Sequence, residues 1–338
     1  MGKIKDLAPN RHSRIYGVGG YRPERIVTNA EICARIDSTD EWIRERSGIE
    51  SRRWAADNES VVDMAEHAAR KALTHAGIGM DQIGAVIVAT VTYPYQTPSA
   101  ATELIGRLGN PKAAAFDISA ACAGFCYGVG MASDFVRGGS ADYVLLVGVE
   151  KLTDFIDLDD RAGGFLFADG AGAVVIGPSD VPGIGPTVWG SDADNRDAIL
   201  QKTSWLSFKK NTVHERKDFL WPDIQMVGQT VFRWAVWQMV PVAHKALELA
   251  GLKVNELDAF IPHQANMRII DAMVKALDLP PELPVARDIR VSGNTSAASI
   301  PLAMEAMLER GEIPHGGSAL LIGFGAGLVY AAQVVTLP

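Results

Sequence analysis

The sequence predicts an α/β architecture, and three observations carry that prediction. Continuous apolar runs at Ala85-Val-Ile-Val-Ala89, Tyr143-Val-Leu-Leu-Val147 and Ala173-Val-Val-Ile176 read as strands covered on both faces. Helical patterns lie between the strands, over Val61–His75 behind Ser60, Glu103–Leu108, Gly124–Val136, Val231–Ala250, Met267–Leu277 and Ala297–Glu309. The third observation is a duplication. Lys71-Ala-Leu-Thr-His-Ala-Gly-Ile followed by Asp81-Gln-Ile-Gly-Ala-Val-Ile reads like Lys245-Ala-Leu-Glu-Leu-Ala-Gly-Leu followed by Asn255-Glu-Leu-Asp-Ala-Phe-Ile. A similar offset relates Tyr143–Gly148 to Ser318–Gly323, and brings the segment around Cys122 close to the one around Asn294. Three matches at nearly one spacing imply a helix–strand unit used twice.

The remaining elements follow in chain order. Asp37–Gly48 reads as a short helix, with Ser38 and Glu41 forming a capping box and Gly48 ending it. Gly77 and Gly251 stop equivalent helices ahead of equivalent strands. Ala113–Ser119, Ala259–Pro262, Ala319–Ile322 and Leu328–Val335 complete the strand set. Asp192–Asp223, charged and irregular with Phe208-Lys-Lys and His214-Glu-Arg-Lys, reads as a long surface excursion between the halves, with room for a short helix.

Composition excludes several classes. The 338 residues are 48% hydrophobic and 21% charged, enough for a large core. A net charge of −8 disfavours nucleic acid bound through a generally basic surface. Three cysteines without framework spacing suit a reducing, cytoplasmic compartment. The start, Met1-Gly-Lys-Ile-Lys-Asp, lacks the apolar stretch of a signal peptide, and no run is long enough for a membrane span. Cys33 and Cys126 have no His or Cys at ligand spacing, so no metal site is expected.

Three segments carry the chemistry: Asp117-Ile-Ser-Ala-Ala-Cys122-Ala-Gly-Phe, Ile261-Pro-His263-Gln-Ala-Asn-Met-Arg268 and Gly293-Asn294-Thr-Ser-Ala-Ala-Ser. Each ends an apolar run and delivers one competent group: a thiol, an imidazole and an amide. Together they suit acyl transfer through a covalent thioester. Cys122 lies between a strand and a helix, where the helix dipole favours thiolate; the alternative is a buried, inert cysteine. His263 ends a strand, where open sheets bind ligands, against the structural role of most lone histidines. Asn294 reads equally as a turn or cap residue. The glycines of Gly323-Phe-Gly-Ala-Gly327 either let backbone approach a ligand or make a tight hairpin. Trp42 and Arg46, one turn apart, offer an aromatic plane beside a guanidinium, suited to a purine with phosphates or to an ordinary surface pair. Gly17-Val-Gly-Gly20 is no dinucleotide fingerprint, because Pro23 follows and no helix opens there.

Taken together these motifs resemble the β-ketoacyl-ACP synthase III family, from about Ile15 to the C-terminus, with Phe-Ala-Asp-Gly-Ala-Gly-Ala at 167–173 as a further match. The resemblance implies a thiolase-like fold with five αβαβα layers. Its two duplicated halves would be 1–180, carrying the nucleophilic cysteine, and 181–338, carrying His and Asn. It implies an acyltransferase that condenses an acyl-CoA primer with malonyl-ACP, with loss of CO₂ and with no metal or cofactor. By the same resemblance Cys122, His263 and Asn294 are catalytic, and the backbone N–H groups of Cys122 and Ala326 form the oxyanion hole. Trp42 and Arg161 would sandwich the CoA adenine, with Ser38 and Arg46 nearby, while Phe167, Phe232 and Asn266 line the pantetheine tunnel. Arg233, Arg268 and Lys275 would dock the acidic carrier protein. Arg268 and Lys275 are seven apart and so share a helix face. Thr97 would reach the acyl pocket of the partner subunit in a homodimer, and its small side chain implies primers larger than acetyl.

The rival readings are a priming ketosynthase of an aromatic polyketide pathway, a hydroxymethylglutaryl-CoA-synthase-like enzyme, and a non-catalytic scaffold on the same fold. The second needs an added carboxylate base that the sequence does not place. The third usually lacks the nucleophile that Cys122 supplies.

Overall fold

A computed structural model describes residues 11–214 and 221–338, and the side chains of residues 213 and 214 are also outside the description. The polar start that argues against a signal peptide and the Glu-Arg-Lys that follows His214 lie outside the described residues.

Two sheets organise the chain. The first contains β1 (His12–Tyr21), β2 (Ile83–Ala89), β3 (Ala114–Ile118), β4 (Tyr143–Lys151) and β5 (Asp169–Ser179), in the spatial order β1-β5-β4-β2-β3. The second contains β6 (Val188–Ser191), β7 (Ala259–Pro262), β8 (Ser318–Gly325) and β9 (Val329–Thr336), in the order β6-β9-β8-β7. Strand directions match pair for pair. β1–β5 and β5–β4 are antiparallel, as are β6–β9 and β9–β8. β4–β2 is parallel, as is β8–β7. Even the place of β3 has its counterpart, a parallel bridge from Phe260 to Val285 at the end of the second sheet. The duplication seen in the sequence is therefore a duplication of topology.

The main helices of the described residues are α1 (Asp40–Ser47), which packs in a side cluster through Ile43, and α2 (Val61–Ala76), α3 (Ala100–Leu108), α4 (Gly124–Arg137), α5 (Gly228–Ala250), α6 (Met267–Ala276) and α7 (Ser299–Glu309), which cover the sheets. Apolar residues of α2 and α3 pack on one face of the first sheet, and those of α5 and α6 on one face of the second. Between the sheets lie α4 and α7, whose Phe125, Val129, Ile300 and Met304 join Ile87, Leu146, Ile261 and Leu321 in one core. This is the five-layer αβαβα arrangement. A helix pressed between two sheets has no solvent face, which is why α7 is buried from Ser299 to Leu308.

Glycine lets the halves meet. A Cβ on Gly148 of β4 would lie 2.3 Å from the Ala297 carbonyl oxygen, and one on Gly323 of β8 would lie 3.1 Å from Ala123 Cα. Equivalent strands thus each receive the turn that leads into the other half's central helix, at a distance no side chain allows on Gly148 and with little room on Gly323.

The helix starts and stops are mostly those the sequence suggests. Ser60 caps α2 by accepting from Asp63 N–H, and Gly77 and Gly251 adopt left-handed φ at the ends of α2 and α5. One cap is different. Thr39, not Ser38, caps α1 by accepting from Trp42 N–H, and no capping box forms there. The Asp192–Asp223 excursion is also more ordered than a bare surface loop. Residues 199–201 pair antiparallel with 224–226, and a short helix spans Trp205–Lys209.

Candidate active site

Both halves use one backbone device to present a side chain from the turn before the central helix. In the first half the turn is Ala121–Ala123 and leads into α4; in the second it is Ser296–Ala298 and leads into α7. Ala121 has φ 44° and Ser296 has φ 48°, a left-handed conformation costing about 1–2 kcal/mol per non-glycine residue. Cys122 follows the first strained residue, and Asn294 lies just before the second. A Cβ on Gly325 would come within 2.5 Å of Cys122 N, so the end of β8 is pressed against the cysteine backbone. The glycines of 323–327 therefore serve both approach and turn. Gly323 and Gly325 admit the Cys122 turn, and Gly327, at φ 75°, helps close the β8–β9 hairpin.

Burial pushes the Cys122 thiol up to about 12, against the pull of the Ser296 hydroxyl, and the nearby Glu150 carboxyl raises it further. Burial thus opposes the thiolate that the start of α4 favours.

His263 follows β7 and is anchored by its N–H to the Ile322 carbonyl at 2.8 Å. Its ring meets Phe324 edge-on, with centroids 5.4 Å apart. Burial lowers its pKa to about 3, so the imidazole is neutral. Nδ1 lies 2.7 Å from Ser299 Oγ, which also accepts from Gln264 N–H at 3.2 Å. In the tautomer in which this hydroxyl donates to Nδ1, the ring proton sits on Nε2.

Asn294 is held on both sides of its peptide, by N–H to the Leu166 carbonyl at 3.0 Å and by its carbonyl to Ala168 N–H at 2.9 Å. Oδ1 accepts from Ser296 N–H at 2.9 Å. That bond fixes the amide orientation and leaves the NH₂ to present donors.

Cys122, His263 and Asn294 all line one cavity of about 1240 Å³. Of the lining residues, His263, Asn294, Phe167 and Phe324 are buried, Cys122, Ala326, Trp42, Phe232 and Asn266 are half-buried, and Arg46, Arg161, Arg233 and Arg268 are exposed. The volume exceeds that of an ordinary small-molecule cleft. Ile199, Leu200, Gln201, Ile224 and Met226 also line the cavity, so the excursion, which follows β6 and therefore lies within the second half and not between the halves, builds part of the site.

The sequence-derived contacts divide accordingly. Arg161 lies over the Trp42 ring with Cζ 5.1 Å from the centroid, and Arg46 lies at 5.7 Å. A ring stacked between Trp42 and Arg161 needs two contacts of about 3.5 Å each, so Arg161 must swing outward to admit one. The Asn266 amide is spent within the fold, capping Arg268 N–H and holding the Arg46 carbonyl, each at 2.9 Å. Arg268 rests over Phe232 with Cζ 5.4 Å from the ring centroid. Ser38, Lys275 and Thr97 do not line the cavity: the Ser38 hydroxyl is buried without a partner, while Lys275 and Thr97 are exposed elsewhere.

Three residues at the site were not singled out from sequence. Ser296 and Ser299 stand inside the Gly293–Ser299 string, where serine also suits a plain turn. Glu150 is the penultimate residue of β4, buried throughout after Tyr143, and an acid following such a run was the available signal.

Family models described as 3-oxoacyl-[acyl-carrier-protein (ACP)] synthase III match residues 116–193 and, for its C-terminal part, residues 247–337. The β-ketoacyl-[acyl-carrier-protein] synthase III 1 of Streptomyces coelicolor is 58% identical, with both chains covered in full. The chain belongs to the β-ketoacyl-ACP synthase III family. The mycobacterial β-ketoacyl-[acyl-carrier-protein] synthase III of Mycobacterium tuberculosis is 50% identical over 100% of this chain and 99% of its own. Among solved structures, the priming β-ketosynthase of the R1128 polyketide pathway superposes with a TM-score of 0.94 at 48% identity, covering 99% of this chain and 98% of its own. The synthase III of Thermus thermophilus superposes at 0.88 with 38% identity, covering 96% and 99%.

Proposed function

We propose that the protein is a β-ketoacyl-ACP synthase III that joins an acyl-CoA primer to malonyl-ACP, releasing CoA and CO₂ to initiate type II fatty-acid synthesis. The observation that carries the reading is the convergence of Cys122, His263 and Asn294 on one large cavity. Cys122 attacks the primer thioester and keeps the acyl group. The Nε2–H of His263 and the NH₂ of Asn294 then donate to the thioester oxygen of the malonyl group, stabilising the enolate that decarboxylation leaves. That enolate attacks the acyl-cysteine. Backbone N–H groups of Cys122 and Ala326 hold the oxyanion formed at the acyl carbon. No step of this scheme calls for a metal or a redox cofactor.

Support for the substrates comes from the other lining residues. Trp42 with Arg46 and Arg161 suits an adenine bearing phosphates, and Phe167 and Phe232 border the path toward the sulfur. Arg233, Arg268 and Lys275 are exposed and belong to no ion pair among the described residues, which suits an acidic carrier protein. A direct test is turnover of an acyl-CoA with malonyl-ACP by the wild type and by Arg268→Glu. The wild type should release CO₂ and form β-ketoacyl-ACP. The variant should show a KM for malonyl-ACP raised about tenfold or more, with Cys122 acylation little changed. No product from the wild type contradicts the function; an unchanged KM contradicts the docking surface.

A homodimer is part of the same reading. Thr97, exposed and outside the lining of this chain's cavity, suits delivery to the acyl pocket of a partner copy. A monomer mass in sedimentation would remove that support. A second reading, a priming ketosynthase for aromatic polyketides, rests on the close likeness to the R1128 enzyme, and primer preference separates the two.

A further inference from the structure

Outside the cavity, one arginine of the first half grips the segment of the second half that carries Asn294. Arg22 directly follows β1, and its half-buried guanidinium donates to four acceptors. Nε donates to Ser292 Oγ at 3.1 Å and Nη1 to Glu305 Oε2 at 3.0 Å. Nη2 donates to Asp288 Oδ2 at 3.1 Å and to the Leu302 carbonyl at 2.8 Å. All four acceptors belong to one stretch of chain. Asp288 precedes and Ser292 ends the short helix Ile289–Ser292, upstream of Asn294, while Leu302 and Glu305 lie on α7, downstream of it. The guanidinium therefore ties together the two ends of the loop in which Asn294 sits.

That loop needs holding. Gly293 has φ 67° and ψ −168°, a region open to glycine alone, and Ser296 has φ 48°. Strained backbone of this kind persists only where its surroundings over-determine it. The Asn294 peptide is fastened to Leu166 and Ala168, which fixes the loop at one point. The direction of the side-chain amide depends also on Ser296 N–H, which binds Oδ1 from two residues further on. Arg22 fixes what lies on either side. It also holds two buried carboxylates, Asp288 and Glu305, on one cation. Among the described residues Lys71, 3.7 Å from Glu305, is the one other cation paired with either, so without Arg22 their repulsion would open the loop. Ser299, the partner of His263, is fixed separately by the buried start of α7. Resting on the reading of Asn294 as a donor to the enolate, we propose that Arg22 is a positioning residue for Asn294, through which one guanidinium of the first half sets the geometry of the condensation step. Arg22 does not line the cavity, so it acts through Asn294 and not on the substrate.

The test separates the half-reactions. Acylation of Cys122 by an acyl-CoA is read as intact mass, and condensation of the acyl-enzyme with malonyl-ACP by rapid quench. The proteins compared are wild type, Arg22→Met, Asn294→Ala and the double variant. Arg22→Met should acylate within about threefold of wild type but condense at least about tenfold more slowly, at a little-changed KM for malonyl-ACP, the loss expected of a slightly misplaced donor. In the double variant the Arg22 change should add no more than about twofold to the loss from Asn294→Ala, since a residue that acts through another has nothing left to act on. A merely structural arginine gives a different pattern, in which both half-reactions slow together and the two losses multiply. Either of those results, or condensation by Arg22→Met within about twofold of wild type, overturns the proposal. The variant keeps the bond from Gly20 N–H to Glu305, which holds the end of β1 to α7. Should it still fail to fold, Arg22→Lys decides by the same two comparisons, because it keeps a cation between the carboxylates and loses the planar fork that reaches four acceptors. Wild type that forms no product, or Asn294→Ala that condenses as fast as wild type, overturns instead the reading on which this role rests.

Discussion

At the scale of single residues, the site works by occupying one end of each polar group so that the other end is aimed. Ser299 holds His263 Nδ1, and Ser296 N–H holds Asn294 Oδ1. What remains is a pair of donors, Nε2–H and NH₂, which suits an oxygen gaining negative charge. This predicts a split between half-reactions. Asn294→Ala should still accept an acyl group on Cys122 but should condense about 100- to 1000-fold more slowly, the usual loss for one oxyanion donor. Rapid-quench assays that separate the two steps will read it. A variant slowed equally in both would mean that Asn294 serves the cysteine and not the enolate. The residue scale also shows where sequence reasoning stops. Spacing supported a thiolate at a helix start, whereas burial of the sulfur, which opposes it, is a property of the tertiary structure that no local pattern reveals.

At the scale of elements, the duplicated glycines explain how two turns reach one point. Gly148 and Gly323 occupy equivalent strands, and each touches the turn of the opposite half. Gly148→Ala places a methyl 2.3 Å from the Ala297 carbonyl oxygen, backbone that cannot swing aside. The variant should lose about 1–3 kcal/mol of stability by overpacking. It should also lose condensation, because the displaced turn carries Asn294 and Ser296. Denaturant midpoints and the half-reaction assay read the two effects, and unchanged values in both would contradict this account of the interface. Strands and helices were legible because apolar runs and glycine stops are local features, and the repeated unit was legible because both copies kept them. The α1 cap was misassigned by one residue because Ser38 and Thr39 are both able caps and only backbone direction chooses between them. The excursion's role as cavity wall was hidden because pairing of 199–201 with 224–226 is not a periodic signal.

At the scale of the whole molecule, burying ionisable groups between two sheets couples the site to stability. His263 has a folded pKa near 3 against an ordinary value of 6.5, so between those values the unfolded chain binds the extra proton. Stability contributed by the neutral ring is therefore lost as pH falls through that window. Glu150, raised to about 7 from 4.5, acts oppositely: the folded chain binds the extra proton, and stability falls as pH rises from 4.5 to 7. The two offset one another between about 4.5 and 6.5, and below 4.5 only the histidine contribution of this pair remains. Replacing His263 by Gln should flatten the pH–stability profile between about 3 and 4.5 by up to about 1.4 kcal/mol per pH unit. Denaturant titrations of both proteins at several acid pH values check it, and parallel profiles would contradict it. The most direct test of the central claim is the intact mass after incubation with a panel of acyl-CoAs, for wild type beside Cys122→Ala. An acyl adduct confined to the wild type is the predicted result, with primers larger than acetyl accepted because Thr97 is small. No adduct from any primer, or one that survives loss of Cys122, would contradict the assignment of this cavity as the site of acyl transfer.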